Sequence, residues 1–265
     1  MSGTEGGGTI ADASKPNAGR IYDYLLGGDH NFEIDRQAAE QLKAMVPEMP
    51  QWVRIVRWFL GEAVGRLLDE GFRHFLDFAS GLPTVDHIHQ IAPQETKVIY
   101  SDIDPVTVAY AQKIVKDLPN VRYFQCDAAQ PEAILDSDHL EQLLGETRRV
   151  AIGFNGIAWF LPDDAVAHAT KILYDWAAPG SRLYYCDINL QVTSEANVQM
   201  EAFYKRVGQP IYARSRATVE ELIGEWRVDS QGFLPLEQWV GLSNDSMEDA
   251  TVRAGGNLIG AILTK

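Results

Sequence analysis

Apolar residues recur at intervals of three and four between Gln51 and Glu70, and this spacing predicts an amphipathic helix. Gly71 follows directly and marks its end, because glycine commonly terminates helices. The apolar positions are Trp52, Ile55, Val56, Phe59, Ala63, Val64, Leu67 and Leu68.

After Gly71, five apolar runs of strand length alternate with segments of helical periodicity. Such alternation indicates parallel βαβ units in a doubly wound sheet, with helices on both faces. The five runs are HFLDFA, KVIYSD, VRYFQCD, RRVAIGFN and SRLYYCDI, which begin at His74, Lys97, Val121, Arg148 and Ser181.

The last part of the chain has a different pattern. A helix candidate, TVEELIGEW, has Thr218 and Glu221 at the spacing of a capping box. Two strand candidates, GFLPLEQWV and NLIGAILTK, follow without a helix between them, so they should pair antiparallel. We therefore predict an α/β, Rossmann-like, seven-stranded doubly wound sheet with an N-terminal helical extension. Its first five strands are parallel, and a sixth and an antiparallel seventh follow.

Domain boundaries follow from composition. The Gly-rich residues 1–14 predict a flexible tail, and residues 15–265 predict a single domain, since no linker or internal repeat interrupts them. Within that domain, residues 15–70 form the helical region and residues 71–265 the sheet core.

Charge and composition limit the classes of partner that the protein is expected to bind. The formal net charge of −14 repels phosphate backbones, so we expect no nucleic-acid partner. No apolar run reaches membrane-spanning length, and no hydrophobic signal core opens the chain. Cys126 and Cys186 lie in apolar runs and are expected to be reduced, buried thiols. We therefore expect a cytoplasmic protein without a membrane partner.

Small or polar residues end all five of the alternating strands, although the strand bodies are apolar. In open α/β sheets, ligands bind outside the carboxyl ends of the strands. The pattern therefore predicts a cleft at that edge. The ends are Ala79-Ser80-Gly81, Ser101-Asp102, Cys126-Asp127, Phe154-Asn155-Gly156 and Asp187-Ile188-Asn189.

The acidic strand ends indicate a nucleoside. Asp102 lies 21 residues after Gly81, the position from which a carboxylate accepts hydrogen bonds from ribose hydroxyls. Asp127 could accept a hydrogen bond from an adenine amino group. The loop A-S-G-L-P-T matches only one glycine of the dinucleotide pattern, which favours a ligand without phosphate. S-adenosylmethionine (SAM) has ribose, adenine and a sulfonium cation that suits acidic surroundings.

Some of these residues have a structural alternative. Asp104 precedes Pro105 and is most simply a helix N-cap, which leaves Asp102 for the ribose. Asp77 could reach the ammonium of the cofactor or brace loop amides. Asp127 could be a turn residue, and Asn155 could cap local backbone. His87 and His89 are two residues apart without further ligands at suitable spacing, so no metal site is predicted.

Three segments resemble a bacterial family of class I SAM-dependent methyltransferases whose substrates are unassigned. PNAGRIYDYLLGGDHNFEIDRQAAE, from Pro16 to Glu40, is similar to the family opening R-I-Y-D-Y-L-L-G-G-x-x-N-F. FLDFASGLPT is similar to its L-D-x-G-x-G-L-P-T, and VIYSDIDP to its V-x-Y-x-D-x-D-P. The resemblance implies a methyltransferase with SAM as cofactor and residues 15–70 as a lid.

The resemblance and the strand ends together give the expected cofactor-binding residues. A methyl acceptor, expected to be a small molecule, would complete the reaction. Two alternatives stay open: a non-catalytic SAM or nucleoside binder, and an NAD(P)-dependent oxidoreductase. The expected cofactor-binding residues are Tyr22, Asn31, Asp77, Ala79, Ser80, Gly81, Asp102, Ile103, Asp127, Ala128 and Asn155.

The chain also departs from the family. Ala79 replaces the first loop glycine, Trp159 replaces a common histidine after the fourth strand, and Cys186-Asp187 replace Ser-His after the fifth. A general base is needed only if the acceptor must lose a proton. Asp187, His30 and Asp163 are candidates, and no catalytic residue is assigned.

Overall fold

The computed structural model describes residues 14–189, 195–242 and 258–265, so most of the predicted tail (1–14) lies outside the described residues. Within them, an eight-stranded mixed sheet has the order β3-β2-β1-β4-β5-β8-β6, with β7 paired to β8. The strands are β1 (His74–Asp77), β2 (Lys97–Asp102), β3 (Val121–Gln125), β4 (Ala151–Phe154), β5 (Arg182–Ile188), β6 (Arg227–Val228), β7 (Leu234–Pro235) and β8 (Leu258–Thr264).

Helices precede and follow these strands. The predicted amphipathic helix is α3, and a 3-10 turn at Ala158–Phe160 follows β4. The helices are α1 (Ala18–Leu25), α2 (Glu33–Met45), α3 (Met49–Asp69), α4 (Ile88–Ile91), α5 (Pro105–Val115), α6 (Glu132–Leu135), α7 (Asp138–Leu144), α8 (Asp163–Trp176), α9 (Glu195–Arg206), α10 (Arg216–Leu222) and α11 (Leu236–Trp239).

The sheet separates two hydrophobic cores, because successive side chains of a strand point to opposite faces. Phe75 of β1 and Tyr184 of β5 pack with α1, α2, α3 and α5. Leu76 of β1 and Tyr185 of β5 pack on the other face with α7, α8 and α10. The doubly wound arrangement is thus confirmed, and the N-terminal helices belong to the first of these cores.

The strand order reverses next to β1, which pairs in parallel with both β2 and β4. The chain travels outwards to β3 and then crosses back to β4 on the other side of β1. Ligands of open α/β sheets bind at such a switch point, above the carboxyl ends of the strands.

The C-terminal strands differ in detail from the prediction. The antiparallel last strand, β8, lies between β5 and β6 and pairs with both. GFLPLEQWV is mainly not a strand: only Leu234–Pro235 pairs, and α11 follows. The reason is packing, because helical turning places Trp239 edge-on against Phe59 of α3, 5.2 Å between ring centroids.

The predicted cap of α10 was also wrong. Ser215, rather than Thr218, is the N-cap, and its hydroxyl accepts the amide N–H of Thr218. The prediction placed the start of the helix three residues too late, because both residue types favour this position. Asp104 is confirmed as the N-cap of α5, where it accepts from the amide of Thr107.

Candidate functional site

A cavity of about 560 Å³ lies above the carboxyl ends of β1 to β5. Residues that follow each of β1, β2, β3 and β4, and Ile188 at the end of β5, line it, together with residues of α1, α3 and α9. The small and polar strand ends therefore meet around one space, as the sequence predicts. Ten of the eleven expected cofactor-binding residues line it: Tyr22, Asp77, Ala79, Ser80, Gly81, Asp102, Ile103, Asp127, Ala128 and Asn155.

The loop after β1 is fixed by its own polar groups. Ala79 and Gly81 have φ of 52° and 63°, the left-handed region that favours glycine. The Ser80 hydroxyl donates to the carbonyl of Asp77 at 2.6 Å, and the hydroxyl of Tyr123 donates to the carbonyl of Gly81 at 2.6 Å. The small residues thus let the backbone turn tightly beside the cavity.

Asp102 connects this loop to β2. Its Oδ2 accepts the amide N–H of Gly81 at 3.1 Å, and its Oδ1 accepts that of Asp104 at 2.9 Å. Burial raises the pKa of Asp102 to about 6, although these two amides counteract the shift. Each carboxylate oxygen can accept a second hydrogen bond, so the residue can brace the loop and also meet ligand hydroxyls.

Asp127 uses one carboxylate oxygen in a turn, and its other oxygen accepts no hydrogen bond from the described residues. Its Oδ1 accepts the amide of Ala129 at 2.9 Å, the turn role considered from the sequence. Among the described residues, nothing donates to its Oδ2. The neighbouring Ala128 and, beyond β2, Ile103 also line the cavity, and Ile103 is 56% exposed. An apolar side chain this exposed beside two carboxylates is suited to cover the face of a planar ring.

Asp77 is buried at the end of β1 and accepts the hydroxyl of Tyr184 at 2.6 Å. Burial raises its pKa, while the Tyr184 hydrogen bond and the positive charge of Arg57 act in the opposite direction. A side chain at Gly153 of β4 would collide with this pair, since a Cβ there would lie 2.0 Å from Asp77 Oδ1. Glycine is therefore required beside the carboxylate.

Arg57 of α3 lines the same cavity with only 7% of its surface exposed. Its Nε and Nη1 are buried without a hydrogen-bond partner in the described part of the chain. Its guanidinium lies 5.6 Å from the ring centroid of Tyr22, whose hydroxyl donates to the carbonyl of Val53. Buried cations without partners are costly, so the site is suited to an anionic group of a ligand.

Aromatic residues line the other side of the switch point, beyond β4. We call Trp159, Phe160 and Tyr204 the aromatic wall. Trp159 and Phe160 lie in the 3-10 turn after β4, and Phe160 meets Tyr204 of α9 edge-on at 5.4 Å between centroids. Asn155 joins β4 to α3, because its Nδ2 donates to the carbonyl of Val56 and its Oδ1 accepts the Cys186 thiol.

Asn31 is the expected binding residue that does not line the cavity. Its Nδ2 donates to Asp23 and to the carbonyl of Gly28, each at 3.0 Å, and its Oδ1 accepts from Arg36. These bonds use the amide to close the turn between α1 and α2. The structure therefore assigns Asn31 to the turn.

The three candidate bases also lie outside the cavity lining. Asp187 is fully buried and accepts from Tyr185 and Arg214, and Arg214 also binds Asp163. His30 packs edge-on against Tyr110, 5.6 Å between centroids. The described lining contains no histidine, lysine, glutamate or cysteine.

Arg57 is the main residue that the sequence analysis missed. A signal was present: Arg57 is four residues after Val53 and three before Leu60, so it interrupts the apolar stripe of α3. A charge on a buried stripe requires a partner, and none was evident from the sequence. No comparable pattern pointed to Tyr204, because α9 comes next to the cavity only when the chain is folded.

Comparisons with known proteins agree on one class of enzyme. A family model described as S-adenosyl methyltransferase matches residues 5–260. No curated protein matches the chain.

Two solved bacterial structures superpose on almost all of the chain. A candidate methyltransferase of Thermobifida fusca YX has 27% identity and a TM-score of 0.87, covering 96% of this chain and 97% of that one. A DUF574 family protein of Streptomyces avermitilis MA-4680 has 26% identity and a TM-score of 0.85, covering 97% and 100%.

A more distant structure shares the fold. Magnesium protoporphyrin IX methyltransferase of Synechocystis PCC 6803, solved with S-adenosylhomocysteine (SAH), has 13% identity and a TM-score of 0.52 over 92% of this chain and 91% of that one.

Proposed function

Because the chain belongs to the S-adenosyl methyltransferase family, we propose that the cavity above β1 to β5 holds SAM on its acidic side and the methyl acceptor at its aromatic wall. The protein is a SAM-dependent methyltransferase with SAM as its cofactor. This sets aside the two alternatives left open by the sequence, the non-catalytic binder and the nicotinamide-dependent oxidoreductase.

The adenosine of SAM fits the ends of β2 and β3. Each carboxylate oxygen of Asp102 accepts one backbone amide and can accept one more hydrogen bond, which would come from a ribose hydroxyl. Asp127 Oδ2 would accept from the adenine amino group, and Ile103 would cover the ring. Arg57 is the only cationic residue in the described lining, so the cavity has no cradle for a pyrophosphate.

The methionine part of SAM fits the end of β1. The carboxylate of the methionine part would accept hydrogen bonds from Nε and Nη1 of Arg57, which have no partner in the described residues. The carboxylate of Asp77 would pair with the ammonium. Tyr22, together with Ala79, Ser80 and Gly81, would enclose it from α1 and the loop after β1. The two buried guanidinium nitrogens that lack a hydrogen-bond partner in the described residues are the observation that most directly supports a bound carboxylate.

Bound SAM supplies a methyl group on a cationic sulfur, whose neutral thioether leaving group needs no acid. The residues of the chain therefore contribute mainly position, which can lower the barrier by about 7–11 kcal/mol. Asp102 and Arg57 would fix the two ends of the cofactor. The aromatic wall would exclude water and hold the acceptor.

Asp102→Asn tests the placement of the adenosine. We expect SAM affinity, measured by calorimetry, to fall by about 1.5–3 kcal/mol through loss of a charge-assisted hydrogen bond. The exposed Asp117→Asn is the matched control.

In the wild type, SAM affinity should also fall by about tenfold between pH 7.5 and pH 5, because the carboxylate with a pKa of about 6 becomes protonated. This dependence should be absent in Asp102→Asn, and unchanged affinity in that variant would contradict the placement.

The proposal extends to the class of acceptor, the extent of the domain and the subgroup of the family. The acceptor is a small molecule, and the net charge of −14 argues against nucleic acid. The chain is a single cytoplasmic domain over residues 15–265, with 15–70 as a lid. The opening segment from Arg20 to Phe32 supports membership of the subgroup that the sequence resembles. In residues 14–189, 195–242 and 258–265, no helix is long and apolar enough to cross a membrane.

A further inference from the structure

We propose that the methyl acceptor is an apolar ring compound that reacts through an uncharged nitrogen and leaves the site as a cation. This inference rests on the proposed function, because it takes the acidic side of the cavity to be filled by SAM. Two observations lead to it: the composition of the aromatic wall, and the absence of a base beside it in the described lining.

The surroundings of the aromatic wall are mostly apolar, and the side chain of the polar neighbour Gln209 already accepts the amide N–H of Ala18 through its Oε1. Ile188 at the end of β5, Met200 of α9 and Ile211 line the cavity beside Trp159, Phe160 and Tyr204. Tyr204 is 7% exposed, and burial raises the pKa of its hydroxyl, so it is not a base. Such a wall binds flat apolar rings and offers little to a sugar, an amino acid or a polyamine with several charges.

No described lining residue beyond β4 can remove a proton from an acceptor. Of the three carboxylates of the lining, Asp102 and Asp127 lie at the ends of β2 and β3, on the far side of β1, and Asp77 ends β1 at the switch point. In the proposed complex all three bind SAM, Asp77 at its ammonium, Asp102 at its ribose and Asp127 at its adenine, which leaves none of them for the acceptor. Alcohols and phenols with ordinary acidity need a base to become nucleophiles, whereas an uncharged nitrogen has its lone pair available.

The aromatic wall suits the charge of the product. In the transfer, the nitrogen lone pair forms the new N–C bond while the C–S bond breaks, and its electron pair stays on sulfur. The positive charge therefore moves from sulfur to nitrogen and is conserved. Aromatic faces attract such cations, most strongly tryptophan and when water is excluded. Transfer to a phenolate would instead neutralise the charge, and the wall would bring no electrostatic advantage.

Isosteric ligands test the inference by binding alone. N-methylisoquinolinium and 2-methylnaphthalene have nearly the same shape and differ in charge. By calorimetry on the SAH-loaded protein, we expect the cation to bind at least about tenfold more tightly. Trp159→Leu should remove most of this preference and leave SAH affinity unchanged. Trp58→Leu is the matched control, because Trp58 lies on the outer face of α3 and is 46% exposed.

Transfer of a labelled methyl group to isoquinoline, 2-naphthol and 2-naphthalenethiol is the second measurement. We expect isoquinoline to be methylated faster than either of the other two. Equal binding of the isosteric pair, or preferred methylation of the naphthol or the thiol, would overturn the inference while SAH still binds. Failure of SAM and SAH to bind at all would instead contradict the proposed function.

Discussion

At the scale of single residues, the site contains groups that are unfavourable for the folded protein alone. Arg57 is buried with two unpartnered nitrogens, and Ala79 adopts a left-handed conformation. Strain and unpaired charge of this kind cluster at functional sites, where a ligand compensates them. Both residues line the cavity, and a substitution at each tests whether the folded protein carries this cost.

Arg57→Met should separate the two properties. In the described residues Nε and Nη1 of Arg57 have no hydrogen-bond partner and its charge acts on Asp77 only at longer range, so an apolar side chain of similar length should change the free energy of unfolding by no more than about 1 kcal/mol. SAM affinity should fall by about 1.5–3 kcal/mol, while decarboxylated SAM, which lacks the carboxylate, should bind wild type and variant alike. Urea unfolding and calorimetry measure both, with the exposed Arg54→Met as control. An equal loss of affinity for both ligands would argue against the carboxylate contact.

Ala79→Gly should stabilise the protein by about 1 kcal/mol, because glycine adopts a φ of 52° without the clash of a Cβ. Ala133→Gly, at an exposed position of α6 with ordinary helical backbone, should destabilise it by about 0.5–1 kcal/mol. Midpoints of urea unfolding give both values. A loss of stability in both variants would show that the backbone at residue 79 is not strained.

At the scale of elements, the N-terminal helices are joined to the cofactor loops by a buried ion-pair network. Arg20 of α1 donates to Asp35 of α2 at 2.7 Å and to Asp104, the N-cap of α5, at 2.9 Å. Asp35 also accepts the amides of Asn17 and Phe32. The network connects the proposed lid with the residue two positions after Asp102. Much of the opening segment therefore has a structural role.

Gly28 in the same segment is required by close packing. A Cβ at Gly28 would lie 2.2 Å from Asp23 Oδ1. The Asp23 carboxylate accepts the amide of His30 and the side chain of Asn31. The Gly-Gly pair thus lets the turn between α1 and α2 close on a buried carboxylate.

Arg20→Met should cost about 3–5 kcal/mol, because it leaves Asp35 buried without its cation. Lys171→Met on the surface of α8 should cost no more than about 1 kcal/mol, since both Lys171 and its partner Asp175 are exposed. Chemical unfolding would measure both. Near-equal costs would show that the network adds nothing beyond a surface ion pair.

At the scale of the whole molecule, the sheet, its helices and the loops above β1 to β5 act as one scaffold for the ligand. A ligand that binds only the folded state stabilises it according to its concentration and affinity. At a hundredfold excess over the dissociation constant this amounts to about 2.7 kcal/mol. For a chain of this size, that corresponds to a rise in Tm of roughly 5–10 °C.

Thermal unfolding should therefore show such a rise with SAM and with SAH, and none with NAD or NADP. The dinucleotides would place a pyrophosphate beside Asp77 and Asp102, where only Arg57 could balance its charge. A shift with NAD and none with SAM would contradict the assignment of the cavity.

The order of the first five strands and of the helices between them followed from the sequence alone, as did the edge of the sheet at which the cavity lies. Apolar periodicity is a local property, so strands and helices could be predicted from it. Because parallel strands place their carboxyl ends at one edge, the polar strand ends could be expected to lie together there. The resemblance added Tyr22, which lines the cavity, and Asn31, which does not.

Which polar groups already have hydrogen-bond partners became clear only from the folded arrangement. The sequence pattern made Asp187 a candidate base. In the folded protein, however, its carboxylate already binds Arg214, which is distant in sequence, and Tyr185, two residues before it. Arg57 is a candidate ligand residue because two of its nitrogens have no hydrogen-bond partner among the described residues. Hydrogen-bond satisfaction depends on neighbours brought together by folding, and no local pattern of residue types encodes it.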